Sequence, residues 1–180
     1  MLVEHGANVN HRDAMGRTAL HYAIHAEGEA KQERKKDFQK LIALILKNSP
    51  NLEAAENKFR WTPIFQAVRG GNVAIVSQLA NMNANLDSTD YKGNSLLHVA
   101  MDYNKPKVLE DWNFQHKNND GDTPLRLGVM KGHTECIKIL AIFEDLTTQK
   151  KALLLAVKTD QTQVLLSLCV CVCVYYNWSH

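Results

Sequence analysis

The chain has 180 residues, of which 45% are hydrophobic and 22% charged, a balance typical of a globular protein with a buried core. Its 21 basic and 19 acidic side chains leave a net charge of +2, too small to predict a nucleic acid or an anionic membrane as the partner. The amino terminus lacks the apolar stretch of a signal peptide, and the longest apolar run, 164–176, is too short to span a bilayer. We therefore expect an intracellular protein, cytoplasmic or nuclear, with reduced thiols.

One sequence pattern begins five times along the chain. Helix caps are predicted at Thr18, Thr62, Ser95 and Thr123, and a fainter copy starts at Lys151, so the spacings are 44, 33, 28 and 28 residues. The Thr or Ser hydroxyl accepts a hydrogen bond from the first turn of the helix, and the Pro that twice follows it suits the first helical position. A period near 33 residues with insertions and deletions indicates a protein of small structural repeats.

Each repeat is predicted to hold two helices and a β-turn. Nine residues after the cap comes a residue that tolerates a positive φ and can end the first helix: Gly71, Asn104, Gly132 and Asp160. An apolar-periodic second helix follows. The D/N-x-x-G pattern of a β-turn precedes the next cap, starting at Asp13, Asn57, Asp90 and Asn118. In the second turn Arg60 replaces Gly, so either φ is positive there at a cost of roughly 1 kcal/mol or the turn has another form.

The chain departs from a regular repeat in four places. Its start, MLVEHGANVN, holds only the end of a second helix, as in a fragment of a longer array or a wrongly placed start. The insertion 27–40 has mixed charges and predicts a solvated helix extension or a long loop, with 34–36 as a possible basic binding segment. The third repeat is short, so we expect a stunted second helix with Trp112 or Phe114 filling the gap.

The fourth departure is the tail, SLCVCVCVYYNWSH, which follows a last repeat whose apolar outer face a cap would normally cover. Alternating Cys and Val is typical of a simple-sequence tract without a selected role. The alternative is a strand with three thiols on one face that could bind a soft metal or crosslink.

The repeated pattern resembles the ankyrin repeat. EHGANVNHRDAMGRTALHYA, DYKGNSLLHVA and NDGDTPLRLGVMKGHTECIKIL carry the resemblance, which covers the chain to about Leu168. It implies an all-α fold, an ankyrin-repeat solenoid of helix-turn-helix units with short β-hairpin loops. The predicted repeats form one domain: 1–12 (partial), 13–56 (with the insertion), 57–89, 90–117 (shortened), 118–146 and 147–168 (degenerate), followed by the low-complexity tail 169–180.

Two pairs of residues that include a histidine could form a catalytic or a metal-binding site. His133 and Cys136 could form a catalytic pair, but no third group is suggested to orient the base, and the repeat predicts a turn and a core position there. His21 and His25 have the i, i+4 spacing of a metal pair, but no further ligand has suitable spacing, and the resemblance gives His21 and His98 a structural role. We therefore predict no catalytic, metal or cofactor residue.

The resemblance implies a non-catalytic module that binds another protein through its hairpin tips and concave face. The alternative is a targeting segment of a larger enzyme, ubiquitin-ligase adaptor or channel whose activity lies elsewhere. By register, the residues at the hairpin tips and at the exposed ends of the first helices are Lys58, Phe59, Trp61, Arg69, Tyr91, Lys92, Asp102, Tyr103, Asp120, Asp122, Met130 and Lys131.

Four of these predicted contact residues are aromatic and fall on one face of two adjacent repeats: Phe59, Trp61, Tyr91 and Tyr103. Exposed aromatic side chains are the anchors that interfaces use most. The alternative is that Trp61 or Phe59 packs against the next hairpin. Beside the aromatics the second repeat is basic and the fourth acidic, which would orient a partner of complementary charge.

Overall fold

The computed structural model describes residues 7–108 and 116–176, with side chains as far as Cys171. Within these residues the chain forms nine α-helices, one 3-10 helix and no β-strand, so the predicted all-α class is confirmed. The chain divides into two compact units, Met1–Tyr91 and Lys92–His180.

The first compact unit contains four helices: α1 (Ala19–Glu29), α2 (Gln32–Leu46), α3 (Pro63–Gly70) and α4 (Val73–Asn81). Helix α1 packs against both α2 and α3, and α3 packs against α4. The apolar faces meet in a core whose fully buried side chains include Leu20, Ile24, Ile42, Phe65 and Leu79. Each helix pair thus buries its apolar stripe against the next pair, as expected for stacked repeats.

The insertion is helical and is not a loop. Helix α2 has 15 residues whereas α4 has nine, and the additional length lies in the segment 32–40. The side chains of this segment are exposed apart from Lys35 and Phe38, which are partly buried. Of the two forms that the sequence left open, the solvated helix extension is confirmed.

The second compact unit contains α5 (Leu96–Asp102), a 3-10 helix (Pro106–Val108), α6 (Pro124–Lys131), α7 (Thr134–Ala141), α8 (Leu146–Lys158) and α9 (Thr162–Tyr176). Helix α6 packs against α5, α7 and α8, and α9 packs against α7 and α8. The predicted filling of the short third repeat by Trp112 or Phe114 lies outside the described residues.

The helix boundaries confirm four of the five predicted starts. Helices α1, α3, α5 and α6 begin directly after the predicted caps. The predicted helix-ending residues all have a left-handed backbone, with φ of 74° at Gly71, 52° at Asn104, 73° at Gly132 and 53° at Asp160. The start at Lys151 is wrong, because α8 begins at Leu146, where the Asp145 side chain accepts a hydrogen bond from the Thr148 N–H.

The cysteine-rich tail continues helix α9 as far as Tyr176, so the strand alternative is wrong for 169–176. Val164, Leu168 and Cys171 are buried at helical spacing, whereas Cys169 is exposed. The Cys171 Sγ lies 3.8 Å from the Lys138 carbonyl oxygen of α7. The described thiols of the tail therefore do not share one face.

The last two helices carry an exposed apolar surface, as the sequence predicted. Its side chains are 59–63% exposed, a large fraction for aliphatic residues: Leu154, Val157, Leu166 and Val170. In residues 7–108 and 116–176, no helix combines the length and the apolar character needed to cross a membrane.

Candidate partner-binding site

A buried histidine connects the two repeats of the first compact unit. The Thr18 N–H donates to Nδ1 of His21 over 3.1 Å, and the His21 Nε2–H donates to the Trp61 carbonyl oxygen over 3.1 Å. Because both backbone partners have fixed roles, the ring is neutral with its proton on Nε2. Burial lowers the pKa of His21, which favours this neutral form.

The second compact unit repeats this connection. The Ser95 N–H donates to Nδ1 of His98 over 3.3 Å, and the His98 Nε2–H donates to the Asp122 carbonyl oxygen over 2.8 Å. We call each arrangement a histidine bridge. It ties the start of a first helix to the residue just before the next cap, and so fixes the β-turn that ends there. His21 therefore has a structural role, with both ring nitrogens hydrogen-bonded.

Two of the β-turns have the predicted five-residue form. Asp13 Oδ1 accepts from the N–H groups of Met15 and Arg17, and Asn118 Oδ1 accepts from those of Asp120 and Asp122. The side-chain oxygen of the first turn residue thus serves as the hydrogen-bond acceptor for two backbone N–H groups of the turn.

The turn of the second repeat is one residue longer and begins at Glu56, so the predicted start at Asn57 is wrong. The Glu56 N–H donates to the Trp61 carbonyl oxygen over 3.0 Å, and the Glu56 carboxylate accepts from the N–H groups of Lys58 and Phe59. Arg60 has a φ of 59°, the left-handed backbone that the sequence left open. Sequence reasoning missed Glu56, and the signal available was the Arg at the Gly position.

Trp61, the last residue of this turn, points into the core. Its side chain is only 7% exposed, its ring stacks on Phe65 with centroids 6.2 Å apart, and its Nε1–H lies 3.4 Å from Asp90 Oδ2. The expectation that Trp61 is exposed is therefore wrong, because the indole packs against Phe65 of α3. Trp61 is a packing residue, the alternative that the sequence had left open.

Two other aromatic rings lie above Trp61 and reach the surface. The Phe59 centroid lies 5.2 Å from that of Trp61 and 5.9 Å from that of Tyr91, which is 47% exposed. The Lys58 ammonium lies 4.8 Å from the Phe59 centroid. The Tyr91 N–H donates to the Phe59 carbonyl oxygen, which holds the two turns together. We call Lys58, Phe59 and Tyr91 the aromatic turn site.

Arg69 contacts the first repeat. Its guanidinium donates to Nδ1 of His25 over 3.1 Å and lies 3.8 Å from Glu29 Oε1. Beside it, α1 and α3 approach closely, since a Cβ placed on Gly28 would lie 3.3 Å from the Gly70 Cα. A partner that engages Arg69 would therefore compete with its contacts to α1.

Among the predicted contact residues of the second compact unit, several charges are already paired. Asp102 and Lys131 form an ion pair of 3.0 Å, and Asp122 pairs with Arg126. The Asp122–Arg126 pair balances part of the acidic charge predicted for the fourth repeat. The other members of the predicted set in this unit lie at its surface: Lys92, Tyr103, Asp120 and Met130.

His133 and Cys136 are structural residues. The His133 Nδ1–H donates to the Met101 carbonyl oxygen over 2.6 Å, and the Cys136 thiol lies 3.3 Å from Asn104 Oδ1. Burial raises the pKa of Cys136 to about 11, so the thiol stays protonated at neutral pH. Gly132 ends α6 and Cys136 is buried in α7, which confirms the predicted turn and core positions.

The repeated caps, histidine bridges and turns agree with the match to a family model. The model of ankyrin repeats (three copies) matches residues 29–111. The chain is an ankyrin-repeat protein. Ankyrin repeats are generally protein–protein interaction modules and are typically non-catalytic.

The chain is similar to segments of much longer proteins of different kinds. The chain is 28% identical over 110 residues to an ankyrin repeat protein of Acanthamoeba polyphaga mimivirus, covering 61% of this chain and 13% of that protein. It is 27% identical over 148 residues to the human transient receptor potential cation channel subfamily A member 1, a match that covers 78% of this chain and 13% of that protein. It is 30% identical over 131 residues to the Mus musculus neurogenic locus notch homolog protein 1, a match that covers 70% of this chain and 5% of that protein. The chain thus spans a small part of each of these relatives.

Proposed function

We propose that this ankyrin-repeat chain is a non-catalytic module that binds another protein through its β-turns and the exposed ends of its first helices. The observation that carries the proposal is the aromatic turn site. There, the partly buried Phe59 ring lies between the buried Trp61 ring and the exposed Tyr91 ring, and Lys58 lies beside the Phe59 ring.

The aromatic turn site has the physical properties of an interface anchor. Tyr and Phe have few rotatable bonds, so little conformational entropy is lost when a partner covers them. Their rings are already held by the turn-to-turn hydrogen bond from Tyr91 to Phe59 and by contact with Trp61. This preorganisation lowers the cost of binding. Truncation of such an anchor typically costs about 2 kcal/mol or more of binding free energy.

The chemistry of the aromatic turn site suggests the kind of partner surface. The exposed rings favour an apolar or aromatic side chain that can be desolvated against them. Lys58 lies at the edge of the Phe59 ring and favours a carboxylate at the rim of the partner. In the second compact unit, the exposed members of the predicted set form a separate proposed contact surface: Lys92, Tyr103, Asp120 and Met130.

The proposal is tested by affinity capture. The wild-type chain, the double variant Phe59→Ala/Tyr91→Ala and Lys58→Ala are immobilised and the retained proteins are identified by mass spectrometry. We expect the double variant to lose at least one partner that the wild type retains, and Lys58→Ala to retain less of it. The matched controls Met82→Ala and Lys40→Ala change an exposed apolar and an exposed basic residue of the second helices and should retain it. Capture unchanged in the double variant would refute this site.

We propose one alternative function, in which the chain is the targeting segment of a larger protein whose activity lies outside these residues. The observation that favours it is the small share of each relative that the chain covers, 13% for the channel and 5% for the notch protein. Sequencing the full-length transcript tests this alternative, since a flanking catalytic, membrane or ubiquitin-related segment would support it and its absence would refute it.

We also propose that the module acts inside the cell, in the cytoplasm or nucleus, where thiols such as those of Cys136 and Cys171 remain reduced. Subcellular fractionation tests this, and recovery of the protein in the medium or in secretory vesicles would contradict it.

A further inference from the structure

A basic cavity of about 290 Å³ opens in the second compact unit, between the turn 118–122, the start of α6 and the side of α8. The polar and glycine residues of its lining are Lys117, Gly121, Thr123, Arg126, Thr148 and Lys151. No part of this cavity belongs to the aromatic turn site, and none of these residues carries the function proposed above.

The cavity exists because one β-turn is missing. A Cβ added at Gly16 would collide with Asn57 of the following turn, and one at Gly93 would collide with Asn119. After α7 only the residues 142–145 precede α8, too few for such a turn. A Cβ at Gly121 would accordingly meet no atom within 4 Å. The position that an asparagine fills in earlier repeats is therefore open at Gly121.

The charges around the cavity favour an anion. Three cationic side chains line it and no carboxylate does. Two carboxylates lie close by: Asp122 holds Nε of Arg126, and Asp145, which caps α8, interacts with Lys151. Counting both leaves a charge of about +1 for the site, from 3 − 2. In the described part of the chain, neither Lys117 nor Lys151 forms an ion pair.

Hydrogen-bond donors remain for a bound anion. Arg126 uses Nε for Asp122, which leaves its terminal NH2 groups for a second acceptor. The Thr123 hydroxyl oxygen accepts from the Arg126 N–H over 3.3 Å, so its own proton can be donated. The Thr148 hydroxyl is hydrogen-bonded to Asp145, so its proton is not available as a donor to the anion. An acceptor in the cavity would thus meet a guanidinium, a hydroxyl and two ammonium groups.

We propose that the cavity binds the phosphate group of a phosphorylated serine or threonine side chain. A phosphate group carries a charge of about −1.5 to −2 and three acceptor oxygens, which matches donors arriving from several directions better than a carboxylate does. A liquid water molecule occupies about 30 Å³, so the cavity has room for a side chain with its phosphate rather than for a bare ion alone.

The test is an NMR titration of the full 15N-labelled chain at constant ionic strength, in three arms. The ligands are a short capped Gly-phosphoserine-Gly peptide, the same peptide without phosphate, and inorganic phosphate. We expect the phosphopeptide to cause saturable shifts of the amides of Gly121 and Thr123, and the unphosphorylated peptide to cause none. Lys117→Gln and Lys151→Gln should each weaken the binding at least fivefold. The control Lys150→Gln, which changes the exposed neighbour of Lys151 outside the lining, should leave it unchanged.

Several outcomes would overturn the proposal. They are the absence of saturation with the phosphopeptide, equal binding of the unphosphorylated peptide, and an effect of Lys150→Gln as large as that of Lys151→Gln. Tighter binding of inorganic phosphate than of the phosphopeptide would assign the cavity to free phosphate and overturn the side-chain part of the proposal. Because the titration does not involve Phe59 or Tyr91, its result is independent of the capture experiment.

Discussion

The two compact units connect their repeats in the same way but close their turns differently. In each unit a histidine Nε2–H donates to the carbonyl oxygen of the residue just before the next cap, Trp61 in the first and Asp122 in the second. The turn that ends there has six residues, 56–61, in the first unit and five, 118–122, in the second. The side chain of that last residue is buried against Phe65 in one case and paired with Arg126 in the other.

This difference shows what a histidine bridge requires. The histidine donates to a backbone carbonyl oxygen, so the bridge is compatible with any side chain at the residue before the cap and with either turn length. The side chain before the cap is therefore available for another role. Trp61 supports the exposed rings of the aromatic turn site, whereas Asp122 holds the guanidinium of Arg126 at the wall of the basic cavity.

The largest expected effect separates these two residues. Trp61→Ala should lower the free energy of unfolding by about 3–5 kcal/mol, because it removes a buried ring from the core. Asp122→Ala should cost less than about 1 kcal/mol, because its ion pair with Arg126 is partly exposed. Urea unfolding followed by circular dichroism measures both. Equal losses would mean that the two turns are closed in equivalent ways.

The pH dependence of stability should differ in sign between the units. Burial raises the pKa of Glu144, in the second unit, to about 7 from 4.5, so the stability from its protonated form is lost as pH rises through about 7. Burial lowers the pKa of His21, in the first unit, so the stability from its neutral form is lost as pH falls below 6.5. Stability measured at pH 5 and pH 8 therefore combines two opposing contributions.

The variant Glu144→Gln separates these contributions. It should match the wild type near pH 4, where Glu144 is protonated in both the folded and the unfolded chain, and exceed it at pH 8 by up to about 3 kcal/mol, since each pKa unit corresponds to about 1.4 kcal/mol. Denaturant unfolding at both pH values checks this. A wild-type advantage at pH 8 would show instead that the Glu144 carboxylate is stabilised by a partner group.

Removing the histidine bridge should affect the two units alike. His21→Ala and His98→Ala each delete two buried hydrogen bonds and should each lower the free energy of unfolding by about 2 kcal/mol. Thermal unfolding of both variants, with Ala19→Ser as an exposed control on the same helix as His21, provides the measurement. A large loss for only one of the two would break the equivalence of the bridges.

The smallest expected effect concerns the last helix, α9. Cys171→Ser places a hydroxyl in a buried position next to α7 and should cost about 1 kcal/mol. Cys169→Ser changes an exposed thiol two residues earlier and should change stability by less than about 0.5 kcal/mol. Melting temperatures compare the two variants, and identical values would mean that the tail contributes nothing to packing.

Local chemistry made much of the fold predictable from the sequence. The helix starts after Thr18, Thr62, Ser95 and Thr123 were predictable because a cap acts within one helical turn, and the left-handed residues that end the first helices depend only on their own backbone. Both signals can be recognised in the sequence without knowledge of the tertiary contacts. The predicted hydroxyl cap is present at Thr123, whose oxygen accepts from the Arg126 N–H, but the Thr62 hydroxyl has no hydrogen-bond partner among the described residues. The start of α8 was misplaced because its cap, Asp145, lacks the Thr-Pro sequence of the other repeats.

The parts that could not be predicted depend on single-residue register and on distant contacts. The turn 56–61 has one residue more than the predicted turn, and only the Arg at position 60 indicated this in the sequence. The burial of Trp61 depends on its contacts with Phe65 and Asp90, which lie outside this turn. The basic cavity brings together Lys117, Arg126 and Lys151, which share no motif. The short spacing before the last repeat was the available signal for the missing turn, but it did not indicate what the resulting space would contain.

The most direct test of the account is the protonation state of the two bridging histidines. A long-range 1H–15N correlation spectrum of the full chain at pH 7 distinguishes the protonated from the unprotonated ring nitrogen. We expect His21 and His98 both to carry their proton on Nε2, and His133, whose Nδ1 donates to the Met101 carbonyl oxygen, to carry it on Nδ1. A proton on Nδ1 of His21 or His98 would contradict the bridge between repeats.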